Sequence, residues 1–334
     1  MWFRNLIFTL AAGLIVTSCG DKSKGPSSSG KGSEILVVCS KSVWTGPAGD
    51  SIRKALIHNM EGLPETEPEF TLLNIQDNDF SKSLHSNRNI LLIDIKNENA
   101  ESKIETLKDE WSQPQRVFKI SAGSDTAFFA IFRKHADAIR ELYNQNERAW
   151  FCSQNEADPN TVTERTLSGE FGIQMAVSRA FQIESKRKDY LCLRSVTANG
   201  NLTLVIYTCS FKDSSQLNPA SVLQLHRQLT ANCIAGKQSG FKTSLEGDSL
   251  RRISQVILFK GMYALETRGF CRQEGDTLAA SFLNYTIVDA PRQRIIVFDG
   301  LVDFAGKPQR NGIRQLESII WKANFIAPDR ASDQ

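Results

Sequence analysis

The sequence predicts an α+β protein: a mixed sheet with helices in the first half, and an antiparallel sheet packed by helices in the second. Three observations carry this. Short, nearly all-apolar runs such as "EILVVCS" and "RNILLIDI" read as strands buried on both faces. In the first half such runs alternate with stretches of helical period. From Tyr190 onward, strand-length runs follow one another across turn residues, as in antiparallel hairpins.

The elements follow in order. "EILVVCS" starts at Glu34. Gly46, Pro47 and Gly49 make a turn, and Asp50 is placed to cap a helix over Ser51–Met60. "GLPETEPEF" is an extended, Pro-rich connection. Arg88–Ile95 is a central strand. Glu98–Trp111 reads as a polar helix stopped by Pro114, and "QRVFKI" returns as a strand. Asp125 caps a long helix reaching Trp150. Its Phe128, Phe132, Ile139 and Leu142 recur at helical spacing and are core. The polar, turn-rich stretch Ser153–Gly169 is the expected boundary between subdomains 34–152 and 169–326, with 327–334 a disordered tail.

In the second half, "YLCLR" and "LTLVIYT" flank "ANGN" as a hairpin, and Asn218-Pro219 opens a helix. Four strands follow: "ISQVILF", "YALETRGF", "SFLNYTIVD" and "RIIVFDGLVDF". The last helix spans Gln309–Phe325, with Ile313, Leu316, Ile320 and Ala323 on one face.

The N-terminus has the layout of a signal peptide. Arg4 precedes an apolar run from Leu6 to Val16, too short for the roughly 20 helical residues that span a bilayer. Val16-Thr17-Ser18-Cys19 then matches a bacterial lipobox. The expectation is a signal peptide over 1–18, lipidation at Cys19 and a flexible tether over 19–33. The membrane is thus an expected partner, reached through the N-terminal lipid. Within the tether, "GPSSSGKG" has a P-loop outline, but it precedes a strand instead of linking a strand to a helix, and is rejected.

Composition narrows the function classes. A net charge of +3 is too small for a nucleic-acid footprint. Cys39, Cys152, Cys192, Cys209, Cys233 and Cys271 form no CxxC pair; disulfides are permitted, with no pairing preferred. His58, His85, His135 and His226 lie far apart outside any metal motif, and read as helix-surface or capping residues. No GxSxG elbow marks a serine hydrolase. Asp299 and Asp303 share one strand face, but at about 3.3 Å per residue they sit ~13 Å apart, too far for a glycosidase pair. No cofactor, metal site or catalytic residue is expected.

Two surfaces stand out as candidates. Strand alternation allows Arg194, Tyr207, Glu266, Arg268 and Asn284 to share one polar sheet face, as a ligand face or as a solvated face laced with ion pairs. Trp44, Arg88, Trp111 and Gln115 fall at element ends, where such residues form either binding surfaces or core lids.

"EILVV", "WTGPAGD", "GLP" with "EPEF", "RNILLIDI", "WSQPQRVFKI", "YALETRGF" with "EGD", and "GKPQRNGIRQLESII" together resemble a Bacteroidota lipoprotein family catalogued as domain of unknown function 4837, over about Glu34–Phe325. The second half also resembles the sheet-and-helix layout of PsbP-like domains. The family resemblance implies an envelope lipoprotein and no particular activity. In such bacteria, acidic residues just after the cysteine accompany surface export. "CGDKSKG" is slightly basic, which implies an outer-membrane protein facing the periplasm. The same resemblance implies O-glycosylation at Asp-Ser/Thr-aliphatic triplets, at Ser51, Thr126, Ser249 and Thr277, each also readable as a helix or turn cap.

The expected role is a non-catalytic envelope component that binds an envelope protein, a glycan or a small ligand. The alternative is a hydrolase of envelope glycan or peptide, which a deep pocket with convergent ionisable groups would favour. Cys19→Ala is expected to release the protein from membranes, read by fractionation with fatty-acid-analogue labelling. Retention and labelling of the variant would refute lipidation at Cys19.

Overall fold

The computed structural model describes residues 25–95, 101–234, 243–244, 252–273, 279–304 and 306–326. Cys19, Ser249 and Thr277 therefore lie outside the described residues.

The first half is a five-stranded mixed sheet in the order β2-β1-β3-β5-β4. β1 (Glu34–Val38), β2 (Thr71–Ile75), β3 (Asn89–Ile95) and β5 (Arg116–Ala122) run parallel. β4 (Lys103–Lys108) pairs antiparallel with β5. The helix expected over Glu98–Trp111 is thus corrected: "KIETLK" alternates with period two and forms an edge strand. Its polarity reflects an exposed edge, not a helix surface.

α1 (Lys41–Thr45) and α2 (Pro47–Leu56) follow β1. α2 starts at Pro47, earlier than expected, with Asp50 inside its first turn. α3 (Asp125–Ala157) is 33 residues, ~50 Å long. It is capped by Ser124, one residue before the expected Asp125. α2 and α3 cover one face of this sheet, burying Ile52, Phe128, Phe132 and Tyr143 against Val37, Leu91 and Phe118.

Residues 25–33 are not a free tether. Ser27 and Ser29 form parallel bridges to Gln113 and Asn87. The Ser33 N–H donates to Glu147 at 2.7 Å. Glu147 also accepts from Arg88 Nε and Asn89 Nδ2, each at 2.7 Å. The Trp150 ring lies 3.9 Å from the Arg88 guanidinium carbon. Glycine and serine composition cannot reveal docking of this kind, because backbone groups carry it.

The expected boundary stretch Ser153–Gly169 is itself structured. It holds the end of α3, then α4 (Thr161–Thr166) and a π-helical turn, Leu167–Phe171, whose Leu167 and Phe171 enter the second core.

The second half is an eight-stranded antiparallel sheet. Its strands are β7 (Gln182–Arg187), β8 (Tyr190–Thr197), β9 (Gly200–Ser210), β10 (Thr243–Ser244), β11 (Ile253–Phe259), β12 (Met262–Gln273), β13 (Ala279–Asp289) and β14 (Arg294–Asp303). The order is β10-β12-β13-β14-β9-β8-β7, with β11 also on β12. α5 (Pro219–Ile234) covers one face and α6 (Arg310–Trp321) the other, which explains why β13 and β14 are buried along almost their whole length. β6 (Ile173–Gln174) and β15 (Asn324–Phe325) form a small separate pair. Cys192 on β8 is bonded to Cys233 on α5, with Cα atoms 5.9 Å apart.

α6 joins the halves. Glu67 accepts from the backbone N–H groups of Gln309 at 2.7 Å and Arg310 at 3.1 Å, capping α6 from the other half. Leu63 inserts into the second core. Beside it, Gly62 has φ +80°, and a Cβ there would lie 2.8 Å from Arg268 Cβ, so only glycine fits this approach. Cys152 Sγ donates to the Ser318 carbonyl of α6 at 3.2 Å. No described helix is long and apolar enough to cross a membrane.

The Arg88–Glu147 pair is completely buried, so Glu147→Ala strands a guanidinium. The expected loss is about 3–5 kcal/mol in urea unfolding, against less than about 1 kcal/mol for the exposed Asp50→Ala pair. Equal effects would contradict a structural role for the buried pair.

Candidate functional site

The expected ligand face does not exist as one surface. Strand register places Glu266 and Arg268 opposite Tyr285 and Leu283, on the side of α6. Asn284 and Tyr207 point to the other side with Asp299 and Val297, and Arg194 pairs with Thr203 on that same side. The sheet carries two buried polar constellations, one under each helix.

Under α5, His226 Nδ1 contacts both Asp299 oxygens, at 2.8 and 2.9 Å. Asn284 Nδ2 donates to Asp299 at 2.6 Å, and Thr286 Oγ1 donates to Asn284. His226 stacks on Phe282 with ring centroids 4.2 Å apart. Burial lowers the basicity of His226, but the Asp299 carboxylate outweighs it and pushes the imidazole up to about 10. The expectation that His226 is a surface or capping residue is therefore corrected. Cys271 also favours the charged imidazole, but His226 Nε2 has no hydrogen-bond partner, so thiol, imidazole and carboxylate do not form a relay. All three are buried and Cys271 Sγ donates to the Ala280 carbonyl, so the arrangement serves the core.

Under α6, a polar cleft of ≈ 480 Å³ opens at the seam between the halves. Arg268 sits at its centre. Its Nε donates to Glu266, and its Nη2 donates to Glu317 at 2.6 Å. The Tyr285 hydroxyl lies 3.3 Å from Glu266 and 3.4 Å from Glu317, and accepts from Trp321 Nε1 at 3.1 Å. Gln255 Nε2 donates to the second oxygen of Glu266 at 3.0 Å. Burial would raise the Glu317 carboxyl, but Arg268, with Arg148 and Arg314, holds it below its ordinary value. Burial, reinforced by Glu317, takes the Tyr285 phenol well above its own.

The first half supplies the opposite wall. Arg148 pairs with Glu141 at 2.7 Å, and Arg140 lies 3.8 Å from Glu69. Arg314, on α6, donates to the Glu69 carbonyl at 3.0 Å and to Asn144 Oδ1 at 2.8 Å. Glu266 and Arg268 belong to the expected ligand face; Glu317, Arg314, Tyr285 and Arg148 do not. The missed residues lie on three other elements, and α6 in sequence shows only its apolar stripe.

Trp44, Arg88, Trp111 and Gln115 do not gather either. Trp44 follows the C-terminal end of β1, under Arg53 at 4.6 Å. The others sit at the N-terminal ends of the sheet. Gln115 donates to the His85 and Asn87 carbonyls, and Trp111 stacks on His85 at 4.3 Å. These are loop fasteners and core lids. Of the triplets, Thr126 is exposed in the first turn of α3, while Ser51 is half-buried in α2. Among the described residues no cluster of His, Cys, Asp or Glu is placed to hold a metal ion.

Residues 160–322 match the family model Domain of unknown function (DUF4837). Residues 28–156 match a different one, Domain of unknown function (DUF8532). The resemblance anticipated over Glu34–Phe325 is thus found in the second half. No curated protein matches the chain. Among solved structures, the Saccharomyces cerevisiae Ran-binding protein Mog1p is similar at 10% identity, over 47% of this chain and 91% of that one, with a TM-score of 0.30. LpqN, involved in cell envelope biogenesis of Mycobacterium tuberculosis, is similar at 17% identity, over 47% and 83%, with a TM-score of 0.29.

The His226–Asp299 pair dictates a pH dependence. The imidazole holds its proton in the folded state up to about 10, but only to about 6.5 when unfolded. The stabilisation is therefore complete below pH 6.5 and lost as pH rises toward 10, at about 1.4 kcal/mol per pH unit. Urea unfolding between pH 6 and 9 should show this slope, and His226→Gln combined with Asp299→Asn should remove it. An unchanged slope in the double variant would exclude this pair as its source.

Proposed function

We propose that the chain is a lipid-anchored envelope protein, held through Cys19 at the periplasmic face of the outer membrane, and that the seam cleft is its binding site. The lipobox motivates the anchor. The cleft joins side chains of both halves around convergent charged groups, as ligand sites between packed units do.

One observation favours binding over catalysis: the clamp of Arg268 on Glu266 and Glu317. A carboxylic general acid needs its pKa raised toward neutrality. Glu317 is displaced the other way, because a guanidinium sits against it. The clamp makes a rigid, ionised wall suited to holding polar groups of a ligand. The hydrolase alternative draws support from the same cleft, since two carboxylates line one wall beside a phenol.

Native mass spectrometry of the protein incubated with a low-mass extract of its host's envelopes separates these readings. A non-covalent adduct, weakened in the partly exposed Arg148→Gln variant, is the expected result. Cleavage products lost in Glu317→Gln would establish the hydrolase instead, and an adduct indifferent to both substitutions would place the site elsewhere.

A further inference from the structure

We propose that the seam cleft recognises a small zwitterion of the amino-acid or short-peptide class, its carboxylate on Arg314 and its ammonium on Glu317. This rests on the reading of the cleft as a binding site and names what it takes.

The inference begins with a buried guanidinium that no carboxylate among the described residues pairs with directly. Arg314 is 2% exposed. Its Nη2 reaches only neutral acceptors, the Glu69 carbonyl and the Asn144 amide, and its guanidinium carbon lies 4.9 Å from the Phe70 ring. Nε has no acceptor at all. No carboxylate among the described residues forms an ion pair with it. A buried donor left unmade is costly, and a charged one more so. A ligand carboxylate would supply what is missing.

The complementary carboxylate lies one helical turn away. Glu266 and Glu317 share the guanidinium of Arg268, and among the described residues neither carboxylate has a second ion-pair partner. Glu317 uses one oxygen for Arg268 and Tyr285, and its other oxygen takes no hydrogen bond among the described residues. Arg314 and Glu317 are i, i+3 on α6, so their Cβ atoms are ~5–6 Å apart, yet they do not pair with each other. Arg268 and Tyr285 hold Glu317, and Glu69 and Asn144 hold Arg314, each turned to its own partners.

One wall therefore offers, side by side, a guanidinium whose Nε lacks an acceptor and a carboxylate with one oxygen that takes no hydrogen bond among the described residues. An extended dipeptide spans at most ~7 Å between its termini, so one short ligand can reach two side chains set one helical turn apart on the same wall. A purely anionic ligand would leave the Glu317 oxygen unmet, and a neutral sugar would answer neither charge. The remaining pairs, Arg148–Glu141 and Arg140–Glu69, close on themselves at the rim. Trp321 and Tyr285 supply the flat side wall, and ≈ 480 Å³ accommodates a ligand of this size.

Isothermal titration calorimetry on the full chain in detergent tests this with three probes: dialanine, N-acetyl-dialanine and dialanine amide. Dialanine is expected to bind at least about tenfold more tightly than either blocked form. Glu317→Gln should cost dialanine about tenfold while leaving N-acetyl-dialanine unchanged. If N-acetyl-dialanine or the amide binds the unaltered protein as tightly as dialanine, the zwitterion is overturned and the cleft remains a ligand site. If none of the three binds, the ligand class is overturned, and the extract adduct decides separately whether the cleft binds anything. The blocked probes use unaltered protein, so the result does not depend on the variant folding.

Discussion

The carboxylate of Glu147 is the point on which the first half is assembled. It is fully buried on α3 and takes hydrogen bonds from Ser33, Arg88 and Asn89. Three chain segments are fixed by one charge: the segment before β1, the start of β3, and the long helix that packs on both. A charge in that position is tolerated only because its partners are complete. Asn146, its neighbour, repeats the contact by donating to the Arg88 carbonyl and to Asn89. The register of α3 on the parallel sheet is thus set by directional bonds as well as by apolar packing. α3 then continues past this point to Cys152 and Asn155, which meet Ser318 of α6.

α6 carries the consequence into the second half. It lies on the antiparallel sheet through Ile313, Leu316, Ile319 and Ile320. Its N-terminus is capped by Glu67, and its polar side faces Glu69 and Asn144, all from the first half. A helix with an apolar face on one body and a polar face on another has no solvent-only side. Its polar residues must find partners across the seam, and those partners form the cleft. The cleft is therefore a product of how the two sheets are bridged, and its geometry depends on the buried charge on α3.

The two faces of the second sheet solve the same problem differently. Under α5 the polar network is sealed, with His226 and Asp299 neutralising one another. Under α6 the network opens at the seam, and its charges are shared unequally among Arg268, Glu266 and Glu317. A sealed pair contributes rigidity and a pH-dependent stability. An open and unequal set contributes capacity to bind.

Much of the fold was legible in the chain. The α+β class, the strands at Glu34, Arg88 and Tyr190, and the helix opening at Pro219 follow from period, turn residues and caps, which are local properties. The edge strand β4 reads as a helix in sequence because an exposed strand and an exposed helix are equally polar, and only its pairing with β5 separates them. Glu266 and Arg268 were visible as a pair on one strand, but their partners Glu317, Arg314 and Tyr285 lie on elements that the sequence keeps apart. Which buried charge meets which is decided by register and by the helix laid across the seam. Those are long-range contacts, so the sequence fixes the residues while only the tertiary structure decides that Arg314 and Glu317 are left to face a cleft without pairing each other.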